Sequence, residues 1–524
     1  MALYDLKLLD CTLRDGGYIN NWKWGFDSAR DIIRALVMAR VDIVEVGFLR
    51  NVRGYELGVT VCNTVEELNQ LLPRDSSSTM FSAMAMRSDY DVGKLSPYTG
   101  KGIEMIRITA HDYDIAEGMD FAREVKRRGY KLSVNPINIM GYSDERILWI
   151  LEQVNSIQPY QFSIVDTFGS MKRRDLDRIV SLVDNNLDRN IRVAVHLHEN
   201  MSLSCSLAQL FIDRHLNRPV AVDASLMGIG RTPGNLPVEL IADYLNEYMD
   251  KAYDIDYMMD AIQDYIAPLS GERKWGYTPA YFLSARFNLH RNYAEHYLKK
   301  GDLTNKDINH ILAGFDRAKC TAFDMNYADK IYKDYKKRKI DDSEDRARLK
   351  RELSGKKVLL IAPGASVAKR HDVISAFQRA QDVVSISLNF IAEEFHVDYA
   401  FFSNNKRFSV LSGESCKVIV TSNLDEAKAD YCIDYDSLSG AFPQGLNSFV
   451  MALKLLKELG KEEVYVAGAD GYSADGPNYY KETMRDIKQR DINFNVQVSE
   501  AIRCLKISIR FITPSAYDEQ SGRD

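Results

Sequence analysis

Apolar and polar positions alternate between two kinds of segment along the first half of the chain. Short apolar runs with the length of buried strands recur eight times, and between them lie longer stretches whose apolar residues are spaced as in amphipathic helices. The predicted strands are Leu6–Leu13, Asp42–Leu49, Thr79–Met86, Glu104–His111, Lys131–Ile139, Gln161–Gly169, Arg192–Asn200 and Ala221–Gly230. Eight strand–helix units in about 250 residues predict a closed parallel (β/α)8 TIM barrel. An open doubly wound sheet is the alternative, but no glycine-rich dinucleotide turn follows the first strand.

The pattern changes after the predicted barrel. We expect a barrel domain over residues 1–253, a helical and aromatic-rich segment over 254–341, a charged linker over 342–356 and an open α/β domain over 357–524. The strands predicted for this last domain, which is Rossmann-like, are Val358–Ala362, Val383–Asn389, Tyr399–Ser403, Lys417–Thr421, Val464–Gly468 and Ile509–Thr513. Acidic residues interrupt the basic ones in the linker, which argues against a nucleic-acid-binding arm.

Composition excludes several classes of function. The chain has 524 residues, with 68 basic and 74 acidic side chains and a net charge of −6, so it lacks the basic surplus of a nucleic-acid-binding protein. The seven cysteines are scattered and form no C-x-x-C pair, which indicates reduced thiols. No apolar run approaches membrane-spanning length and no targeting segment is recognisable, so we expect a soluble, cytoplasmic protein that contacts no membrane.

Polar side chains follow the predicted strands at the end where a barrel places its active site. Arg14 and Asp15 follow the first strand, and Gly16 and Gly17 then break it. Neighbouring residues of an extended chain point to opposite faces, so we expect the turn at these glycines to bring both charged groups to one pocket. A surface ion pair at a strand end is the alternative for this dipeptide.

A histidine pair ends the seventh predicted strand. His196 and His198 are two residues apart, so their imidazoles share one face of the strand. With Asp15 from across the barrel they would form a site of two histidines and one carboxylate, which leaves coordination positions open for substrate on a divalent ion. Two histidines with unrelated roles are the alternative.

Together these motifs resemble a known family. T-L-R-D-G at 12–16, H-L-H at 196–198 and G-I-G-R-T-P-G-N-L-P-V-E at 228–239, supported by R-I-T-A-H at 107–111 and V-D-A-S-L at 222–226, are similar to the DRE-TIM metallolyases over roughly the first 300 residues. Among these, the chain most resembles the aldolases that act on 4-hydroxy-2-oxo acids. The resemblance implies that Asp15, His196 and His198 hold Mn²⁺ or Mg²⁺.

The resemblance also implies roles for other residues. Arg14 would stabilise a pyruvate enolate, and Tyr277 would line the pocket from the helical segment. The aldolases have a general-base histidine three residues after the metal aspartate, where this chain has Tyr18. Tyr18 would then be either the base or a pocket wall, with His111 as another candidate for proton transfer. The residues expected to contact substrate are Arg107, Asp166, Thr167, Asn200, Gly234 and Asn235.

The C-terminal domain contains a small-residue turn after its first strand. Gly364 and Ser366 lie in A-P-G-A-S, and with Asn389 and Asp470 they form a candidate phosphate or nucleotide site. A tight turn without a ligand is the alternative. These strings loosely resemble Rossmann-like domains of bacterial sialyltransferases, which would imply a nucleotide or nucleotide-sugar partner.

Three functions are therefore consistent with the sequence. The first is a metal-dependent aldolase acting on a small 2-oxo acid. The second is a Claisen-type acyltransferase of the isopropylmalate-synthase kind, which shares the same metal ligands. The third is a nucleotide-sugar or surface-polysaccharide enzyme whose main activity resides in the C-terminal domain. A homo-oligomer is compatible with each of them.

Overall fold

The computed structural model forms two compact units, residues 1–328 and residues 329–524. It describes residues 5–74, 78–231, 233–272, 275–301, 303, 305–336, 340–408, 416–424, 428–439, 447–473, 478–481, 484 and 492–518. Each unit is built around its own parallel sheet.

The first unit is a closed parallel barrel. Its strands are β1 (Leu6–Asp10), β2 (Ile43–Leu49), β4 (Met80–Met86), β5 (Met105–Ala110), β6 (Lys131–Pro136), β7 (Gln161–Asp166), β8 (Arg192–Leu197) and β9 (Val220–Ala224), and a two-residue strand, β3 (Val61–Cys62), extends the sheet beside β2. β1 pairs with both β2 and β9, which closes the ring of eight strands. The predicted barrel is therefore confirmed, and its strands are buried along almost their whole length, as expected when helices cover a parallel sheet.

Helices surround the barrel in the predicted alternation. They are α3 (Phe26–Met38), α4 (Val65–Asn69), α5 (Ile115–Arg127), α6 (Asp144–Ile157), α7 (Arg173–Asn186), α8 (Ser204–Ile212) and α9 (Val238–Tyr248). Apolar residues three and four apart give α3 one buried stripe, formed by Ala29, Ile32, Ile33 and Leu36. Short 3₁₀ turns lie at Val92–Lys94, Asp112–Asp114, Ile139–Gly141 and Leu226–Gly228.

The first strand ends earlier than predicted. β1 stops at Asp10, and the chain then forms two short helical turns, α1 (Thr12–Asp15) and α2 (Gly17–Asn20). The Asp10 carboxylate accepts hydrogen bonds from the backbone N–H and the hydroxyl of Thr12, at 2.9 and 2.8 Å, which starts the turn before the glycines. The expectation that the turn begins at Gly16 and Gly17 is thus wrong. Arg14 and Asp15 nevertheless reach one pocket as expected, because the helical turn brings both charged groups to the mouth of the barrel.

The rest of the first unit is helical. Its elements are α10 (Ile255–Ala261), a π-helical turn (Ile262–Ile266), α11 (Ala267–Glu272), α12 (Pro279–Arg286), α13 (Asn292–Lys300), α14 (Asn305–Ala313) and a 3₁₀ turn (Arg317–Lys319), and α15 (Met325–Lys336) crosses into the second unit. Two of the aromatic residues predicted here, Tyr293 and Tyr297, are completely buried and contact Phe315.

The second unit is an open α/β domain, as predicted. Its parallel strands are β10 (Lys357–Ile361), β11 (Val383–Leu388), β12 (Tyr399–Phe402), β13 (Lys417–Thr421), β14 (Tyr431–Ile433), β15 (Glu463–Ala467) and β16 (Ser508–Phe511), in the spatial order β14-β13-β12-β11-β10-β15-β16. The sequence analysis missed β14, which has only three residues. Strand order reverses between β10 and β15, which makes their junction the topological switch point.

Helices complete the second unit. They are α16 (Ser343–Leu353), α17 (Ser366–Lys369), α18 (His371–Gln378), α19 (Asn405–Phe408), α20 (Tyr435–Ser439), α21 (Ser448–Glu458) and α22 (Ile492–Leu505). The segment predicted as a charged linker contains α16. Although most of its side chains are charged, Leu349 and Leu353 are buried in the core of this sheet, so the helix belongs to the domain.

Within the described part of the chain, none of the helices combines the length and the apolar composition that crossing a bilayer requires.

Candidate metal and substrate site

Three predicted metal ligands meet at the carboxyl end of the barrel. Asp15 comes from α1, His196 from β8, and His198 directly follows that strand. One potential ligand atom from each residue lies within 4.8 Å of the others, and all three side chains are buried. The Nε2 atom of His196 is 4.0 Å from Oδ2 of Asp15. Residues about 180 positions apart in the sequence are therefore brought to one point by closure of the barrel.

Both imidazoles are oriented by groups behind them. Nδ1 of His196 lies 3.2 Å from Oδ2 of Asp223, and Nδ1 of His198 lies 3.0 Å from the carbonyl oxygen of Gly234. A hydrogen on either Nδ1 would face an oxygen atom, which leaves each Nε2 atom available as a ligand. Oδ2 of Asp15 is buried and has no hydrogen-bond partner among the described residues. These three atoms fit a divalent ion, since two neutral imidazoles and one carboxylate form an accepted donor set for borderline metals.

Electrostatics keeps the ligands in the protonation states that a metal requires. Burial alone would raise the pKa of Asp15, but Arg14 and the two histidines outweigh it and hold that pKa at about 2. Burial, followed by the nearby His196, lowers the pKa of His198 to about 3. The site therefore presents an ionised carboxylate and an uncharged His198 imidazole at neutral pH.

Arg14 is held rigidly beside this group of ligands. Its Nη1 donates to Asp15 at 2.6 Å and its Nε donates to Glu45 at 2.7 Å. Burial would lower the pKa of Arg14, but these two carboxylates outweigh that effect and raise it, so the guanidinium stays charged. Its Nη2 is buried without a partner among the described residues. A fixed cation with one unused donor is suited to a developing oxyanion.

A second buried arginine lies beneath the cleft. Arg107 donates from Nη1 to Glu45 at 3.1 Å and from Nη2 to Asn135 at 3.3 Å, and its Nη2 also pairs with Asp223. These contacts join strands β2, β5, β6 and β9. Because Arg107 shares Asp223 with His196, it positions a metal ligand as well as lining the floor, which adds to its predicted role in contacting substrate.

An open cleft of about 590 Å³ lies above the ligands. It is lined by Arg14, Asp15, Tyr18, Phe48, Met84, Met86, Arg107, Thr109, Asn135, Ile137, Val165, Thr167, His196, His198 and Arg231. Charged and apolar side chains thus line the same cleft, which is the usual character of a small-molecule site.

Tyr18 forms part of the wall. Its hydroxyl is 3.5 Å from Nη2 of Arg50, and its ring lies edge-on against Trp22 with 4.7 Å between the ring centroids. The Arg231 guanidinium lies 5.8 Å from the centre of the same ring. Tyr18 is therefore packed among aromatic and cationic groups.

Three other predicted residues shape loops around the site. Thr167 lines the cleft, and its hydroxyl accepts the backbone N–H of Asn138 at 2.7 Å. Asp166 accepts the N–H groups of Ser170 and Met171 at 2.9 and 3.1 Å, so it holds the loop after β7, and burial raises its pKa to about 7. Asn235 donates to the carbonyl of Ile229 at 3.2 Å and so holds the loop after β9.

The remaining predicted residues differ in their relation to the cleft. Gly234 supplies the carbonyl that orients His198, and Asn200 is buried after β8. His111 stacks on Tyr113, and burial lowers its pKa, while Tyr277 is 55% exposed. His111 and Tyr277 both lie outside the set of described residues that line the cleft.

The contacts of four residues in and around the site were not predicted. The sequence analysis placed Glu45 and Asp223 in strands but did not identify them as partners of Arg14, Arg107 and His196. Arg231 was quoted within a motif without a role, and His290, whose Nε2 lies 2.6 Å from Nη2 of Arg231, gave no recognisable signal.

An aspartate carboxylate of the chain itself lies in the candidate phosphate site of the second unit. The Asp470 carboxylate accepts the backbone N–H of Ser366 at 2.7 Å and its hydroxyl at 2.5 Å, directly after the turn at Gly364. Asn389 lies at the end of β11, where its side chain accepts the N–H of Ser403 at 3.0 Å. A phosphate could reach the Ser366 donors only by displacing Asp470. Gly364 and Asp470 also line a cleft of about 490 Å³ at the switch point between β10 and β15.

Comparisons with known proteins agree with the barrel. Residues 103–264 match the HMGL-like family model. The chain is 26% identical over 242 residues to 4-hydroxy-2-oxovalerate aldolase of Thermomicrobium roseum, covering 45% of this chain and 65% of that enzyme. It is 27% identical over 245 residues to the enzyme of the same name from Thermus thermophilus, covering 45% and 67%.

The chain is also similar to a solved structure. The N-terminal domain of a candidate aldolase from Bacteroides vulgatus is 25% identical, with a TM-score of 0.47, and the match covers 56% of this chain and 96% of that one. The chain thus spans slightly less than two thirds of the Thermomicrobium roseum relative, and these relatives match the barrel part of the chain. Residues 103–264 of this protein, which include strands β5 to β9 of the barrel, are thus similar to the HMGL-like family.

Proposed function

We propose that the barrel is a divalent-metal-dependent aldolase that cleaves or forms 4-hydroxy-2-oxo acids through the enolate of pyruvate. The observation that carries this proposal is the unused Nη2 donor of Arg14 beside the buried group of Asp15, His196 and His198. Enolate chemistry needs a fixed positive environment at the oxygen that gains charge. The relatives named as 4-hydroxy-2-oxovalerate aldolases support the same reaction class.

The residues of the chain divide the work as follows. Asp15, His196 and His198 would hold Mn²⁺ or Mg²⁺, and a bound divalent ion supplies Lewis-acid stabilisation of the 2-oxo acid. Arg14 donates a hydrogen bond from Nη2 to the oxygen that becomes negative as the bond between C3 and C4 breaks. Asp223 and Gly234 keep the histidines in the required orientation.

Tyr18 is proposed as a wall residue. Its hydroxyl contacts Arg50 and its ring contacts Trp22, so the side chain is supported on two sides. His111 is the predicted alternative for proton transfer and would act from the edge of the cleft. Burial lowers the pKa of His111, and the charge of Arg231 also lowers it.

The experiment that tests the proposal needs no knowledge of the aldehyde. The full chain, supplied with Mn²⁺ or Mg²⁺, should exchange the C3 hydrogens of pyruvate with deuterated water, and chelation should stop the exchange. His196→Ala should abolish it, whereas the control His396→Ala, at an 81% exposed side chain, should not change it. Exchange that survives chelation and the loss of His196 would contradict the proposal.

A Claisen-type acyltransferase is the alternative function that the same metal ligands would support. It predicts thiol release when the enzyme is given acetyl-CoA and a 2-oxo acid, whereas the aldolase predicts pyruvate release from 4-hydroxy-2-oxo acids. Comparing the two assays on one metal-loaded preparation separates the readings.

A second candidate function concerns the C-terminal unit. We propose that its cleft binds a nucleotide or nucleotide-linked sugar, because open parallel sheets bind ligands at the switch point, where Tyr472, Tyr479 and Tyr517 line this cleft. Calorimetric titration of the full chain with nucleotide-sugars tests it, with Tyr517→Ala expected to weaken binding. Equal binding by both proteins, or none by either, would contradict it.

A further inference from the structure

A second arginine, distinct from Arg14, faces the cleft from the loop after β9. Arg231 lines the cleft together with the metal ligands. Its guanidinium lies over the Tyr18 ring, 5.8 Å from the ring centre. Arg231 is therefore part of the wall that a bound substrate would meet.

The direct neighbour of Arg231 does not neutralise it. Nη2 of Arg231 lies 2.6 Å from Nε2 of His290, whose Nδ1 faces the backbone N–H of Asn292 at 3.3 Å. Burial, followed by Arg231 and Arg291, lowers the pKa of His290 to about 3, so the ring is uncharged. A neutral imidazole accepts at only one nitrogen, yet both nitrogens face donors. Around the His290 ring there are therefore more hydrogen-bond donors than acceptors.

The two carboxylates that, like Arg231, act on the pKa of His111 are engaged elsewhere. Asp89 pairs with Arg50 at 3.3 Å, and Asp114 accepts the backbone N–H of His111 at 2.7 Å. Among the residues that the structure describes, no carboxylate forms an ion pair with Arg231. A partly buried cation without a counter-charge is costly, and an anion that enters the cleft would remove that cost.

We propose that Arg231 binds an anionic group at the far end of the substrate, so that the aldehyde partner of pyruvate carries a carboxylate or a phosphate. The inference rests on the proposed aldolase function and specifies its substrate class. Arg14 and the metal ligands serve the 2-oxo acid end, while Arg231 stands on the wall with Tyr18, where the aldehyde fragment would lie. The guanidinium provides paired donors in the geometry that both anions accept.

The reaction balances without any further reagent. In the synthetic direction C3 of pyruvate loses a proton, the resulting enolate carbon forms a bond to the aldehyde carbon, and the aldehyde oxygen gains a proton. In the cleavage direction the same bond breaks and C3 regains a proton. The anionic group takes no part in bond making, so Arg231 acts through binding.

The test compares matched aldehydes on the metal-loaded full chain. Butanal is paired with 4-oxobutanoate, and glyceraldehyde with glyceraldehyde 3-phosphate, each with saturating pyruvate. The ratio of kcat/KM for the charged member to that for the neutral member is the readout, because it cancels any general loss of activity. We expect a ratio of at least about 10 in the parent for one of the two pairs, and the pair that shows it distinguishes carboxylate from phosphate.

Variants assign the preference to a residue. Arg231→Gln should reduce the ratio to about 1, and Arg231→Lys should retain part of it, since lysine keeps the charge but loses the planar fork. Arg127→Gln, at a 72% exposed arginine that ends α5, should keep the parent ratio.

The outcomes separate the two proposals. If the parent does not exchange the C3 hydrogens of pyruvate, the aldolase function falls and the inference falls with it. If it does exchange them but shows no preference for charged aldehydes, or if Arg231→Gln retains the preference, only the inference is overturned. A rise in the KM for pyruvate alone in Arg231→Gln would also overturn it, because Arg231 would then bind the 2-oxo acid.

Discussion

Nδ1 of His196 lies 3.2 Å from the carboxylate of Asp223 on the neighbouring strand. Asp223 also pairs with Arg107, and these opposing charges, together with His196, outweigh burial and lower the pKa of the carboxyl group. The pair therefore keeps an ionised acceptor behind the imidazole. The orientation of a candidate metal ligand thus depends on a residue that contributes no ligand atom to the site.

We expect Asp223→Asn to weaken metal binding. Losing the charged acceptor removes the group that fixes the ring, and such changes typically cost about 10- to 100-fold in affinity. Calorimetric titration with Mn²⁺ measures the change. Asp120→Asn, at a 78% exposed aspartate, is the control and should bind like the parent. If both variants bind Mn²⁺ with equal affinity, Asp223 forms an ion pair with Arg107 but does not position His196 for metal binding.

Arg14→Lys should preserve the fold and lose most of the turnover. Arg14 contacts Asp15 and Glu45 and still has one donor left, and an ammonium group cannot reproduce these three directions at once. We expect kcat to fall by about 100-fold or more, as when one oxyanion donor is removed. Steady-state kinetics and circular dichroism measure the two effects. Arg127→Lys is the control, and a fully active Arg14→Lys enzyme would make Arg14 structural.

Tyr18→Phe should change substrate binding modestly and leave the pH profile unchanged. The hydroxyl has a long contact of 3.5 Å to Arg50, while the ring supplies the packing against Trp22. Measuring kcat against pH for both enzymes is the test. A fall in kcat of about 100-fold together with loss of the rise in kcat with pH that ionisation of a base produces would instead make Tyr18 the general base.

Asp10→Asn should reduce the dependence of stability on pH. Burial raises the pKa of Asp10 from 3.8 to about 7, despite two hydrogen bonds from Thr12. Between these two values the folded protein binds the proton more tightly than the unfolded chain does. The stabilisation is therefore complete below the lower value and is lost as the pH rises towards 7.

The measurement is the Tm of the barrel transition at pH 4.5 and at pH 8. The parent should lose stability between these values by an amount on the order of 3 kcal/mol from this group, and the asparagine variant should lose less, because it cannot ionise. Equal losses in both proteins would show that Asp10 does not hold its proton in the folded state.

Periodicity and spacing in the sequence determined the architecture and part of the site. The recurrence of buried runs and amphipathic stretches predicted the barrel because each strand and helix must bury one face locally. The H-x-H spacing placed His196 and His198 on one side of β8 for the same local reason. The open sheet of the second unit was predicted likewise, except for β14, which is too short to form a distinct pattern.

Only the tertiary structure decided which polar groups meet. The contacts of His196 with Asp223, of Arg107 with Glu45 and of Arg231 with His290 join residues that are 27 to 62 positions apart. Their geometry depends on the register of parallel strands, on barrel closure and on the path of the helical segment after the barrel. The position of the first turn was also decided by a tertiary environment. The turn begins before Gly16 and Gly17, because the buried Asp10 carboxylate accepts the N–H and the hydroxyl of Thr12. The ion pairs and hydrogen bonds of His196, Arg107 and Arg231 join side chains that are distant in the sequence, so local sequence patterns do not predict them.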